Sequence, residues 1–134
     1  MSLEVQREGT HRFVGRNDRG AEVKLGRAGA ESAFTPAELL QIATAGCSAV
    51  TAEELITRRV GEDSTFRVSV SADRREGASE LDAVHVAFDV DLSTLDSAKR
   101  EALATAVDRA IDRLCTVRRT LTKGTPVTES FPTE

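Results

Sequence analysis

Apolar and polar positions alternate with a period of two near the start of the chain, as they do in half-buried strands. Leu3 to Arg7 shows this first and is followed by a Glu8-Gly9 turn; His11 to Val14 reads as a second strand. Asn17-Asp18-Arg19-Gly20 carries turn chemistry, because Asn, Asp and Gly tolerate left-handed backbone and bond locally. Ala21 to Leu25 alternates again and should pair back across that turn, before a loop from Gly26 to Phe34. The period then changes. Thr35-Pro36-Ala37-Glu38 is a capping box with proline at the first helical position, opening a helix expected from Pro36 to about Arg59. From Leu39 to Ala52 no charge falls on any face, so this helix should be buried on most sides.

Gly61-Glu62-Asp63 ends the helix, and the period of two returns in Phe66 to Ala72 and Leu81 to Leu92, two long strands expected to form a hairpin around the polar Arg74–Ser79 turn. Val84, Val86, Phe88, Val90 and Leu92 share one face of the second strand. Asp96 or Ser97 caps a helix from Ala98 to Leu114, with Leu103, Val107, Ala110, Ile111 and Leu114 at helical spacing. Cys115 to Lys123 reads as a short helical piece stopped by Gly124, and Thr125 to Phe131 as a last strand begun by Pro126. The order β-β-β-α-β-β-α-α-β predicts a single α+β domain over residues 1–134, with antiparallel-rich sheets against helices.

Composition narrows the function. The 134 residues carry a net charge of −4, no Trp or Tyr and five Phe. An acidic chain without stacking aromatics is not expected to bind nucleic acid. The Leu39–Ala52 run is too short and too polar to span a membrane, and Met1 to Thr10 lacks a signal-peptide core, so no membrane partner and a cytoplasmic location are expected. In that compartment a permanent disulfide is not expected, which leaves Cys47 and Cys115 to be explained. With only His11 and His85 beside them, and no CxxC, the chain offers no zinc pattern, and neither a metal nor another cofactor is expected.

Taken alone, Cys47 reads as a small buried hydrophobe. Gly46 beside it argues for something more, since glycine costs about 1 kcal/mol in a helix interior and is expected where another group approaches closely. Cys115 would stand at the start of a short helix near Arg118 and Arg119, a setting that favours thiolate. Arg16 and Arg19 flank an early turn and by themselves read as solvated; Glu38 is explained by the capping box.

Thr35-Pro36-Ala37-Glu38-Leu39-Leu40 with Ala45-Gly46-Cys47-Ser48-Ala49-Val50 resembles the central-helix motif of the OsmC/Ohr family, named for osmotically induced protein C and organic hydroperoxide resistance protein. The segment from Cys115 to Val127, with its glycine at Gly124, resembles the second half of that signature, and Val14-Gly15-Arg16 with Arg19-Gly20 is similar to the family's arginine-bearing loop. The resemblance covers essentially the whole chain, in the right order. It implies an OsmC-like α+β fold, a long buried central helix and an intertwined homodimer with active sites at the subunit interface.

It also implies a thiol peroxidase acting on organic hydroperoxides. Cys47 would be the peroxidatic thiol, Cys115 the resolving thiol that closes a disulfide, and an external dithiol the reductant. Arg16, with Arg19 as its rival, would hold the thiolate and polarise the peroxide. Residue types suit these roles: a free thiol is only a few per cent thiolate at neutral pH, and a permanently charged guanidinium shifts that balance. Where Ohr members follow the proline directly with glutamate, this chain has Ala37 and places the acid at Glu38; where they follow the second cysteine with proline, it has Thr116. It therefore resembles an OsmC-like branch. The competing reading is a non-catalytic binder of small-molecule or lipid-like ligands on the same dimeric scaffold.

Overall fold

The computed structural model describes residues 2–133. Five strands and three helices follow in the order β1 (Glu4–Gly9), β2 (Arg12–Arg16), β3 (Glu22–Gly26), α1 (Pro36–Val60), β4 (Arg67–Asp73), β5 (Ala83–Asp89), α2 (Ser97–Leu114) and α3 (Thr116–Lys123). The architecture is α+β, with two small antiparallel sheets. The chain falls into two units, Met1–Ile42 and Ala43–Glu134, and the division lies within α1.

The first unit contains the meander β1-β2-β3. Its second turn forms as the side chains dictate. The Asn17 carboxamide oxygen accepts from the amides of Arg19 and Ala21 at 2.9 and 3.0 Å, and Gly20 takes φ +89°. Residues Arg12 to Arg16 then pair with Gly26 to Glu22 in unbroken register. The first turn lies slightly later than the Glu8-Gly9 expectation. β1 continues to Gly9 through a register shift, and the reversal passes through His11 at φ +59°.

The capping box closes as read. Thr35 donates its amide to Glu38 Oε1 at 2.8 Å, and the Glu38 amide donates to Thr35 Oγ1 at 3.1 Å. These two bonds satisfy donors that a helix start otherwise leaves unpaired.

The second unit contains the β4-β5 hairpin, α2 and α3. Val68, Val70, Val84, Val86 and Phe88 are half-buried while Arg67, Ser69, Ser71, His85, Ala87 and Asp89 are exposed, the alternation the sequence predicted; Ala83, at the start of β5, is half-buried as well. A core of Ala52, Ile56 and Leu103 is wrapped by Leu55, Phe66, Phe88, Val90, Leu95 and Val107. The rings of Phe66 and Phe88 stack with centroids 6.3 Å apart. Asp96, rather than Ser97, caps α2, accepting from the Lys99 amide at 2.8 Å. Gly124 ends α3 in the left-handed conformation, φ +78°, where a side chain would be strained.

Three expectations need correction. Residues 125–131 form no strand. Val127 and Phe131 are the only apolar residues there besides Pro126, too few to bury a strand face, and no described strand edge receives the segment's hydrogen bonds; both stand exposed. The uncharged stretch of α1 is not covered all round within one chain. Thr44, Ala45, Ser48, Ala52 and Ile56 are buried, but Ile42 is exposed and Val50 is 78% exposed. Gly46 likewise has no described neighbour within 4 Å of where a Cβ would stand, so the close approach inferred for it is not made within this chain.

Candidate functional site

The two cysteines, far apart in sequence, meet. α1 carries Cys47 on the side bearing buried Thr44 and Ser48. Cys115 is the joint between two helices. It ends α2, donating its amide to the Ile111 carbonyl at 3.0 Å, and with extended backbone (φ −71°, ψ 102°) it is also the N-cap of α3. That bend starts α3 close enough to Cys47 for the backbone amides of Thr116 and Val117 to act on its thiol and lower it. Both thiols are free, and each acts on the ionisation of the other, Cys115 lowering Cys47 and Cys47 raising Cys115.

Their surroundings push them in opposite directions. Burial acts to raise the Cys47 thiol, but the Cys115 hydrogen bond and the two α3 amides outweigh it and hold the thiol below its ordinary value. The Thr51 hydroxyl is also within reach of this sulfur. Its single proton is donated to the Cys47 carbonyl at 2.7 Å, so the sulfur relies on Cys115 and the amides. Burial raises the Cys115 thiol, and the bond to Cys47 and the charge there raise it further; the Arg118 amide and the Ser48 hydroxyl pull more weakly the other way. Cys115 is 0% exposed, whereas Cys47 is half-buried and reachable. The arrangement suits one proton shared between two sulfurs, with the thiolate at residue 47.

Thr116 tests this account. It is the first residue of α3, where proline is well tolerated, and the extended Cys115 before it already has the backbone that proline requires. Thr116→Pro should therefore leave the fold intact while removing one amide from the sulfur. We expect the Cys47 thiol to rise and its alkylation by iodoacetamide at neutral pH to slow. A hydrogen bond to a charged group contributes roughly 1.5–3 kcal/mol, and the partial exposure of Cys47 sets the loss at the lower end. The pH profile of alkylation checks it, and an unchanged profile would remove the amide from the account.

Arg16 lies in the first unit at the end of β2. Strand pairing sets Glu4 and Glu22 directly across from it, and Gln6 lies one diagonal step away. Its Nε donates to Glu22 at 2.6 Å, Nη1 to Gln6 at 2.9 Å and Nη2 to Glu8 at 2.9 Å. The hydrogen bonds to Glu22 and then Glu8 strengthen its hold on its proton. Arg19 is the looser residue, with a side chain 67% exposed against 29% for Arg16, and only a 3.7 Å approach to its neighbour Asp18. Glu38 has one oxygen engaged by the Thr35 amide.

The backbone donors of Thr116, Val117 and Arg118, with Ser48 and Thr51, are site groups that sequence reasoning missed. The signal that could have found them is the helix start directly after Cys115, which obliges nearby amides to point back along the helix axis.

Comparison with known proteins gives this pair of thiols a family. The profile described as OsmC-like protein matches residues 29–130, a span that includes both cysteines. The chain belongs to the OsmC-like family. An uncharacterized protein of Mycobacterium tuberculosis is 40% identical to this OsmC-like chain over 127 residues, covering 93% of the chain and 91% of the relative. The crystal structure of an OsmC-like protein from Mycoplasma pneumoniae superposes with a TM-score of 0.66 at 15% identity, over 92% of this chain and 87% of that one. The organic hydroperoxide resistance protein OhrB of Bacillus subtilis superposes with a TM-score of 0.52 at 19% identity, over 93% of each chain. These structures share the fold. Among the described residues of this OsmC-like chain, no helix is long and apolar enough to cross a membrane.

Proposed function

We propose that this chain is a single OsmC-like domain working as a thiol peroxidase on organic hydroperoxides. The observation that carries the reading is that two free thiols act on each other's ionisation, and the more accessible of them is the one lowered. Cys47 S⁻ attacks the terminal peroxide oxygen. The O–O bond breaks, Cys47 becomes a sulfenic acid, and the leaving alkoxide takes a proton to become the alcohol. Cys115 then attacks the sulfenic sulfur, water departs with the Cys115 proton, and a Cys47–Cys115 disulfide forms. An external dithiol returns both thiols. Arg16 is assigned as the cation that steadies the thiolate and the departing oxygen; its fixed orientation favours it over the solvated Arg19. Glu38 contributes by fixing the start of α1. The family and the likeness to a hydroperoxide resistance protein support the reading.

Titration of thiols before and after one equivalent of cumene hydroperoxide tests it. Two thiols per chain should fall to none, with cumyl alcohol released. Retention of both would leave the ligand-binding scaffold as the function.

The same reading includes a homodimer. Ile42, Gly46 and Val50 recur every fourth residue along an exposed, uncharged face of α1, and Val127 and Phe131 are exposed beyond α3. Light scattering at micromolar concentration should give twice the 14.4 kDa chain mass. A species of chain mass alone would overturn it.

A further inference from the structure

The chain is acidic overall, yet one groove is strongly basic. A depression of about 870 Å³ between the end of α2 and α3 is lined by Arg113, Arg118, Arg119 and Lys123, with Asp112 as the single acid. Asp112 neutralises little of this charge: its carboxylate stands 4.0 Å from Arg118, and Arg119 donates to its carbonyl oxygen instead, at 2.9 Å. Arg113 and Lys123 have no ion pair with any described residue. The groove adjoins the thiols. Leu114 and Thr116, the chain neighbours of Cys115, both line it, and the Thr116 amide faces the Cys47 sulfur.

We propose that this groove docks an acidic protein carrying a dithiol, whose thiolate enters the oxidised site at Cys47; this rests on the peroxidase reading above. Arg118, Arg119 and Lys123 lie on α3, about 12 Å long at 1.5 Å per residue, and Arg113 stands at the end of α2, so the cations match an extended acidic surface better than one carboxylate. They lie within a Debye length of one another and act together on an approaching anion. The point of entry follows from access. Cys115 is fully buried, whereas Cys47 is half-buried. The donor thiolate bonds to Cys47 Sγ, the Cys47–Cys115 bond breaks, and Cys115 leaves and takes up a proton. The donor's second thiol loses its proton and attacks the donor's first sulfur in the mixed disulfide; the bond between that sulfur and Cys47 Sγ breaks, releasing Cys47 as thiolate. Two electrons pass to the protein and the donor departs as a disulfide.

The full chain, oxidised with one equivalent of cumene hydroperoxide, is the test material. Two synthetic peptides serve as donors, each containing Cys-Gly-Pro-Cys, one flanked on both sides by three glutamates and the other by three glutamines. At low salt the glutamate peptide should reduce the wild-type disulfide about tenfold faster than that of the Arg113→Gln/Lys123→Gln variant. The glutamine peptide and dithiothreitol should reduce both proteins equally, and 0.5 M salt, where screening shortens to a few ångströms, should abolish the difference. A glutamate peptide with serine in place of its second cysteine cannot resolve the mixed disulfide and should be trapped on residue 47. Equal rates for the glutamate peptide on both proteins would overturn the docking site alone, and trapping on residue 115 would overturn the point of entry. Absence of any disulfide after peroxide would overturn this proposal together with the peroxidase reading.

Discussion

Cys47→Ser should abolish hydroperoxide consumption, a loss of roughly a thousandfold or more, because a serine hydroxyl at this position has no base to make it a nucleophile. Cys115→Ser should behave differently. Its hydroxyl can still donate to the Cys47 sulfur, so the first turnover should proceed, but no disulfide can form. Cys47 should then gain one and afterwards two oxygens, passing from sulfenic to sulfinic acid. Cys115→Ala removes the donor as well. Because that bond helps to hold the Cys47 thiol low, its loss should raise the thiol, leave less thiolate at neutral pH and slow even the first turnover. Stopped-flow consumption of cumene hydroperoxide and mass spectrometry of the residue-47 peptide separate the three variants. If Cys115→Ser yields no oxygen adduct at residue 47, the two roles are wrongly assigned.

Leu103→Ala should cost about 2–4 kcal/mol of stability. Leu103 is 4% exposed and packs with Ala52 and Ile56 at the centre of the second unit's core, so truncation removes apolar contact and leaves a cavity. Arg109→Ala on the same helix should stay within about 0.5 kcal/mol, since that side chain is exposed and makes no ion pair with any described residue. Urea denaturation of both variants at one fixed chain concentration checks the contrast, because any assembly would couple stability to concentration. Equal midpoints would mean that the core does not hold α2 in place. The substitution also bears on the site, for α2 is the helix that delivers Cys115.

Helix ends were the most legible features. Thr35, Glu38, Asp96 and Gly124 each act through hydrogen bonds or backbone preference within a few residues, so their chemistry is written locally. The hairpin faces of β4 and β5 were legible for a similar reason, since a period of two fixes which side chains point together. The last segment failed because a strand is made by its pairing, which depends on an edge elsewhere and not on the residues of the segment itself. The burial of α1 was overread on the same ground. Lack of charge from Leu39 to Ala52 states that the helix suits an apolar setting, but within one chain Val50 is left exposed.

The sequence by itself determined the five strands and three helices that form, the caps of α1 and α3 and the presence of two cysteines on either side of the hairpin, because each depends on short-range spacing. Only the tertiary structure decided that those cysteines come within reach of each other's ionisation, that Cys115 is the buried thiol and Cys47 the more accessible one, and that the amides of α3 lower the Cys47 thiol. A thiol's ionisation depends on the direction and distance of donors and on its access to water. Those quantities are fixed when α2 packs and turns into α3, and no local pattern around either cysteine encodes them.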